Sequence, residues 1–318
     1  MNPNIIFMYS GQGSQYKNMG RELYQLDPVF KYWMDRLDKY FIGFTKSSFF
    51  DRFYGESAST ELIHTHLAIF MVEYAMTQVL LSQEIYPDAV IGVSLGEFTS
   101  SAVNERIDPL ACMELIFHQA DMITRFCPKG RLLSILTDFS IYEEQTELYE
   151  NSELVSLNFK NNFTIAVREE EVENITVFLN QRKLSYVPLT VEYGFHSSLI
   201  DKGEKSFLDY LHSNEKRFSK TLDTPYAQYS SALAESLKDV PADFFWEVVR
   251  RPIDFQNTVV KAIKANSPNF MVDLGPSGTL ATSVRYLLKE ENVRPYTILT
   301  PYGGAVKNLE ALYQALDN

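Results

Sequence analysis

A serine between two glycines, at the end of a β-branched run, is the strongest candidate nucleophile in this 318-residue chain. Ala89-Val90-Ile91-Gly92-Val93-Ser94-Leu95-Gly96-Glu97-Phe98 reads as a buried strand that stops at a glycine, with helix-favouring residues after the serine. In that setting Gly92 and Gly96 remove side chains that would clash where the strand reverses into the helix. Ser94 then occupies a strained turn with its Oγ above the sheet. The amide of Leu95 faces the oxygen on the carbon under attack, and the following helix adds positive potential there. The bland alternative is a Gly-Ser turn with no chemistry. A second glycine cluster, Ser10-Gly11-Gln12-Gly13-Ser14-Gln15, follows the apolar run Ile5–Tyr9. Gln12 is its candidate for a second oxyanion amide, and a flexible connection into the next helix is the alternative.

A serine nucleophile needs a base, and five histidines are available. His64 and His66 lie two positions apart, so they do not share a helix face. No third ligand with zinc-like spacing accompanies them, and no metal is expected. His118 and His212 fall in helical stretches and read as packing or surface residues. His196 follows Tyr193-Gly194-Phe195 at the exit of a segment of distinct texture, in a loop, where a rigid scaffold presents catalytic groups. It is the candidate base.

The elements that must position these groups are readable in outline. Helical periodicity covers 19–26, 28–41 and 61–81, the last apolar on most sides and so expected deep in the fold. Between 130 and 196 the pattern runs strand (131–136), helix (141–149), strand (154–159), strand (163–167), helix (170–180), strand (185–191). That βαββαβ order is ferredoxin-like. Helices dominate again from Ser197, and a strand at Asn269–Leu274 ends at Gly275-Pro276. An α/β protein is expected, with a catalytic subdomain from 1–129 and 197–318 and a ferredoxin-like subdomain at 130–196. The chain is 45% hydrophobic and 14% aromatic, which excludes a disordered polymer. Its net charge of −12 argues against nucleic acid and anionic membrane as partners. The two cysteines, Cys112 and Cys127, form no C-x-x-C pair and fit a reducing compartment. Met1-Asn2-Pro3-Asn4 lacks the basic region of a signal peptide. Glu73, Thr77 and Gln78 interrupt the longest apolar stretch, Leu67–Leu81, so no membrane span is expected. These features lead to the expectation of a cytoplasmic monomer.

Together, the motifs resemble the malonyl-CoA:acyl-carrier-protein transacylase family, including the acyltransferases that serve polyketide synthases. Gly11-Gln12-Gly13-Ser14-Gln15, Gly92-Val93-Ser94-Leu95-Gly96-Glu97, Phe195-His196-Ser197, Arg250-Arg251-Pro252-Ile253-Asp254-Phe255 and Asp273-Leu274-Gly275-Pro276 occur in the family's order across nearly the whole chain. The resemblance implies an α/β-hydrolase-like large subdomain carrying the ferredoxin-like insertion. It implies Ser94 as nucleophile, His196 as base, and the backbone amides of Gln12 and Leu95 as the oxyanion hole. It also implies a backbone carbonyl, placed at Val248, orienting His196. The chemistry implied is ping-pong transfer from phosphopantetheine thioesters of CoA or acyl carrier protein, with no bound cofactor.

Departures from the family refine this expectation. Counted from Ile107-Asp108, the position of the arginine that pairs with a malonyl carboxylate falls on Gln119, and Arg125 faces elsewhere around the helix. Val93 stands where most relatives have histidine, and Val93 and Phe195 join Gln119 as expected specificity positions. With Gln119-Ala120 and Cys127-Pro128-Lys129-Gly130, these features resemble the acyl-hydrolase branch of trans-acting polyketide acyltransferases. The expected function is therefore hydrolysis or transfer of neutral acyl groups through an acyl-serine. The alternatives are a malonyl loader acting in trans and a catalytically silent scaffold for carrier proteins. An acidic carrier would meet a basic patch, for which Lys202, Lys205, Lys216, Arg217 and Lys220 are candidates. A solvated face balanced by Asp201, Glu204 and Glu215 is the other reading of those residues.

Overall fold

Ile5–Tyr9 is buried throughout because it is the centre of a parallel sheet, covered on both faces. The computed structural model describes residues 4–218, 224–241, 243–267, 269–288 and 293–317. In chain order the strands are β1 (Ile5–Tyr9), β2 (Ala89–Gly92), β3 (Gly130–Ile135), β4 (Glu153–Phe159), β5 (Asn162–Arg168), β6 (Tyr186–Pro188), β7 (Ala227–Ser230), β8 (Glu235–Leu237), β9 (Phe270–Asp273) and β10 (Arg294–Thr297). Six of them form one sheet in the order β10-β9-β1-β2-β7-β8, parallel except for β8. The register sets Met8 against Ile91 and Tyr9 against Gly92, so the loops after β1 and β2 leave the same sheet edge side by side. Crevices at the carboxyl ends of such strands are where open α/β sheets bind ligands.

The two faces of β1 pack into different clusters. Phe7 and Tyr9 join the side of the sheet that holds the helix Leu62–Ser82, while Ile6 and Met8 meet Phe255, Val259, Leu280 and Val284. Helix Leu62–Ser82 is buried on nearly every side, as its all-round apolar character requires. Asp108 caps Pro109–Phe126 by accepting from the amides of Leu110 and Ala111, which fixes the register of the helix that carries Gln119.

The remaining strands form the second sheet, antiparallel, in the ferredoxin-like order β4-β5-β3-β6. Alternation along its strands divides labour between faces. Leu133, Ile135, Phe163, Ile165 and Val167 build a small core with Ile175 and Leu179, whereas Leu132, Ser134, Asn162 and Thr164 turn toward the large subdomain. The subdomains are joined by main chain, with the amide of Ile253 donating to the carbonyl of Val155 at 2.7 Å.

The structure differs from the sequence reading in detail. The helix expected at 141–149 is two short helices, Ser140–Glu144 and Thr146–Tyr149, separated by an extended Gln145. The strand expected at 185–191 is regular only over Tyr186–Pro188; one more bond to β3 follows, from the Leu189 amide to the Leu132 carbonyl at 2.9 Å, before the chain turns tightly, with the Val191 amide donating to the Leu189 carbonyl at 2.8 Å. Strands β7, β8 and β10 are additional. Each is short and carries polar residues or proline, leaving little periodicity to read. Among the described residues no helix is long and apolar enough to cross a membrane.

Candidate active site

The turn after β2 is built by exclusion. A Cβ on Gly92 would lie 2.4 Å from Glu97 Cα, and one on Gly96 would lie 2.1 Å from the Tyr9 carbonyl oxygen. Only glycine allows strand, turn and helix to close this tightly. Ser94 takes a left-handed φ of 54°, a conformation that costs a non-glycine residue about 1–2 kcal/mol. Leu95 is the N-cap of the helix Gly96–Val103, whose first amides, those of Gly96, Glu97 and Phe98, bond back to the carbonyls of Val93, Ser94 and Leu95. The other loop approaches from β1. A Cβ on Gly11 would sit 2.8 Å from Ser94 Cβ, so the Gly11–Gln12 peptide lies directly against the serine. Both expected oxyanion donors, the amides of Gln12 and Leu95, are thus in segments that flank Ser94.

His196 comes from the loop leaving the small subdomain, and its φ of 63° is also left-handed. Its Nε2 lies 2.8 Å from Ser94 Oγ. Its Nδ1 lies 2.9 Å from the carbonyl oxygen of Arg251, and its amide donates to the Val249 carbonyl at 2.9 Å. A carbonyl only accepts, so the ring proton sits on Nδ1 and Nε2 receives the Ser94 hydroxyl. Burial pushes the pKa of His196 down to about 4, opposed by the hydrogen bond to Arg251. The imidazole is therefore neutral and ready to accept a proton at neutral pH. The orienting carbonyl is that of Arg251, which corrects the expectation of Val248. Val248 lies inside the helix Phe244–Arg250, where carbonyls align with the axis, whereas Arg251 is the extended residue beyond it and turns its carbonyl out of line. Arg250 pairs with Asp201, tying that helix end to the turn that follows His196.

Ser94 and His196 line a cavity of about 390 Å³ between the subdomains. One part is apolar, with Val93, Phe195, Leu132 and Leu189. Another is hydroxyl- and amide-rich, with Ser156, Asn158, Asn162, Thr164 and Ser277. Among the described residues no lysine or arginine lines it. Gln119 is fully buried in its wall, and Arg125 is exposed and paired with Asp121 at 2.9 Å, away from the cavity. Val93 and Phe195 are buried in the wall as well, the Phe195 ring 5.5 Å from that of His66.

Residues the sequence reading left aside also meet here. His66 touches Gln12 and Gln119 through its two ring nitrogens. Glu73 Oε1 accepts from the Ser10 amide at 2.7 Å and from the Ser10 hydroxyl, while Oε2 accepts from Thr99 Oγ1 at 2.8 Å. One carboxyl thereby ties the Gly11–Gln12 loop to the helix Gly96–Val103. Burial pushes the pKa of Glu73 up to about 8 and that of Glu97 up to about 7. The available signal for His66 and Glu73 was the same: a polar residue inside an otherwise apolar helix. Of the proposed basic patch, Lys205 pairs with Asp209 and Arg217 with Glu114, each at 2.6 Å. Lys202 and Lys216 are exposed, and Lys220 lies outside the described residues. Among the described residues no cluster of three or more His, Cys, Asp or Glu side chains could hold a metal ion.

The model of the acyl transferase domain family matches residues 6–317. The chain is 35% identical over 325 residues to a protein named polyketide biosynthesis acyltransferase homolog BaeD from Bacillus velezensis, covering 99% of this chain and 98% of that one. It is 35% identical over 319 residues to the homolog PksD from Bacillus subtilis, covering 98% and 96%. Among solved structures, the MCAT of Streptococcus pneumoniae superposes with a TM-score of 0.81 at 20% identity, covering 98% of this chain and all of that one.

Proposed function

The chain belongs to the acyl transferase domain family, and on that premise we propose that it processes acyl thioesters of polyketide biosynthesis through an acyl-Ser94 intermediate. The observation that carries the reading is the Ser94–His196–Arg251 carbonyl chain at 2.8 and 2.9 Å, opening on a cavity lined by no lysine or arginine among the described residues. His196 Nε2 takes the hydroxyl proton as Ser94 Oγ attacks the thioester carbonyl carbon. The amides of Gln12 and Leu95 hold the resulting oxyanion. The C–S bond then breaks, the imidazolium returns its proton to the departing sulfur, and an ester remains on Ser94. In the second half His196 deprotonates water or a carrier-protein thiol, which attacks the ester and frees the serine.

The substrate is proposed to be a neutral acyl chain on the phosphopantetheine arm of an acyl carrier protein, with no cofactor bound by the chain itself. A buried carboxylate needs a charged partner, and removing one partner of a buried ion pair costs about 3–5 kcal/mol. Gln119 is uncharged and Arg125 points away, which supports neutral cargo and disfavours malonyl. The hydroxyl- and amide-rich part of the cavity offers hydrogen-bond partners for the amides of the arm. The experiment is intact-mass analysis after mixing with a butyryl-carrier protein. The expected result is a butyryl adduct that is absent in Ser94→Ala, followed by its loss to water or to a second carrier. Full thioester turnover by Ser94→Ala would contradict the reading.

A further inference from the structure

Beside the oxyanion loop, the cavity wall carries three uncharged polar side chains that the acyl-transfer steps do not use. His66 Nε2 lies 3.0 Å from Gln12 Oε1, and its Nδ1 lies 3.1 Å from Gln119 Oε1. Gln119 is fully buried and lines the cavity, and its Nε2 has no hydrogen-bond partner among the described residues. A buried amide end without a partner is costly, so it marks a place where a bound molecule supplies what the protein does not. Burial also keeps His66 neutral, its pKa pushed down to about 4. A neutral ring has one N–H, so one of the two glutamines turns its NH2 toward it. The end of Gln119 left facing away from the ring is then a donor or an acceptor accordingly. A hydroxyl, which both donates and accepts, satisfies either arrangement, whereas a methylene satisfies neither.

Gln12 links this polar group to the reacting centre. Its main-chain amide sits beside Ser94, where the thioester oxygen is held in the proposed reaction, and its own side chain reaches His66. Gln119 stands on the other nitrogen of that ring and lines the same cavity as Ser94, so an acyl chain on Ser94 and the Gln119 amide share one enclosed space. We infer that Gln12, His66 and Gln119 select acyl groups bearing a hydroxyl on the β-carbon. Gln119 touches the substrate oxygen, and His66 is the positioning residue that holds it. The inference rests on the acyl-Ser94 reading and deepens it by naming the substrate class.

The test is the single-turnover rate of Ser94 acylation by 3-hydroxybutyryl- and butyryl-pantetheine. The hydroxylated thioester is expected to react about tenfold faster, the effect of one added hydrogen bond to a buried group. Gln119→Met, close in shape but without the amide, brings the ratio near one, and so does His66→Phe. A merely structural defect slows both substrates together and leaves the ratio where it was. Equal rates in the wild type, or a preference that survives both variants, overturns the inference while leaving the acyl-enzyme standing. No adduct from either thioester in the wild type overturns the proposed function and this inference together. Where a variant fails to fold, the wild-type ratio decides.

Discussion

Ser94 and His196 both hold a left-handed backbone, at φ 54° and 63°, and each is kept there by neighbours rather than by its own preference. Glycines surround the serine, while the Val249 and Arg251 carbonyls grip the histidine. Two predictions belong to these residues. His196→Ala should lower kcat/KM by about 10²–10⁴-fold, the usual contribution of a positioned general base, measured on a butyryl thioester. The pH profile of kcat/KM should also have its acid limb near pH 4 rather than near the ordinary histidine value. The sign follows from burial: the folded pKa of His196 is depressed, so the proton-accepting form persists until pH falls through about 4. An acid limb near 6.5 would show an imidazole in water. The serine was legible in the sequence because Gly92, Gly96 and the β-branched run all point to one geometry. The Arg251 carbonyl was not, because a main-chain acceptor leaves no mark in residue type, and the position the resemblance implied, Val248, falls inside the helix.

At the scale of elements, the two segments proposed to hold the oxyanion are coupled through buried groups. Gly96→Ala would drive a methyl into the Tyr9 carbonyl at 2.1 Å, pushing β1 from the turn after β2. A loss of about 1–3 kcal/mol in unfolding free energy is expected from such overpacking, with acylation lost as the amides separate. Chemical denaturation and adduct formation check the two parts. Glu73 joins the same loop and helix from below. Its folded pKa is raised to about 8, so its stabilising contribution is full below the unfolded carboxyl value and is lost as pH rises through about 8. Unfolding free energy should therefore fall from about pH 4.5 to about pH 8 and level off above it, and more shallowly in Glu73→Gln. Glu97 and Asp273, raised to about 7 and 6, pull the same way and remain in that variant. The order of the small subdomain's elements was readable because strand alternation and helical periodicity switch cleanly there. The edge strand β10 was not, since Arg294 and Pro295 open it with a charge and a residue that cannot donate. Glu73 passed as an interruption of an apolar stretch and His66 as half of a rejected metal pair, because their partners lie far away in sequence.

At the scale of the whole molecule, the proposed nucleophile and base belong to different bodies. Ser94 rides on the six-stranded sheet, whereas His196 leaves the four-stranded one, and the cavity is the seam between them. The loop after His196 is held to β4, with Glu153 accepting from both the amide and the hydroxyl of Ser198. Glu153→Ala should lower kcat by about ten- to a hundredfold, as expected when a catalytic group is displaced by a fraction of an ångström to one ångström. Unfolding measurements should show little change, because the site is at the surface. The claim on which the rest depends is that this seam accepts uncharged acyl groups onto Ser94. The most direct measurement is competition between equimolar butyryl- and malonyl-carrier protein for the wild-type enzyme, followed by intact mass at short times. The account predicts that Ser94 is butyrylated about a hundredfold or more faster, given the cost of burying a carboxylate without its cation. Faster malonylation of Ser94 would contradict it.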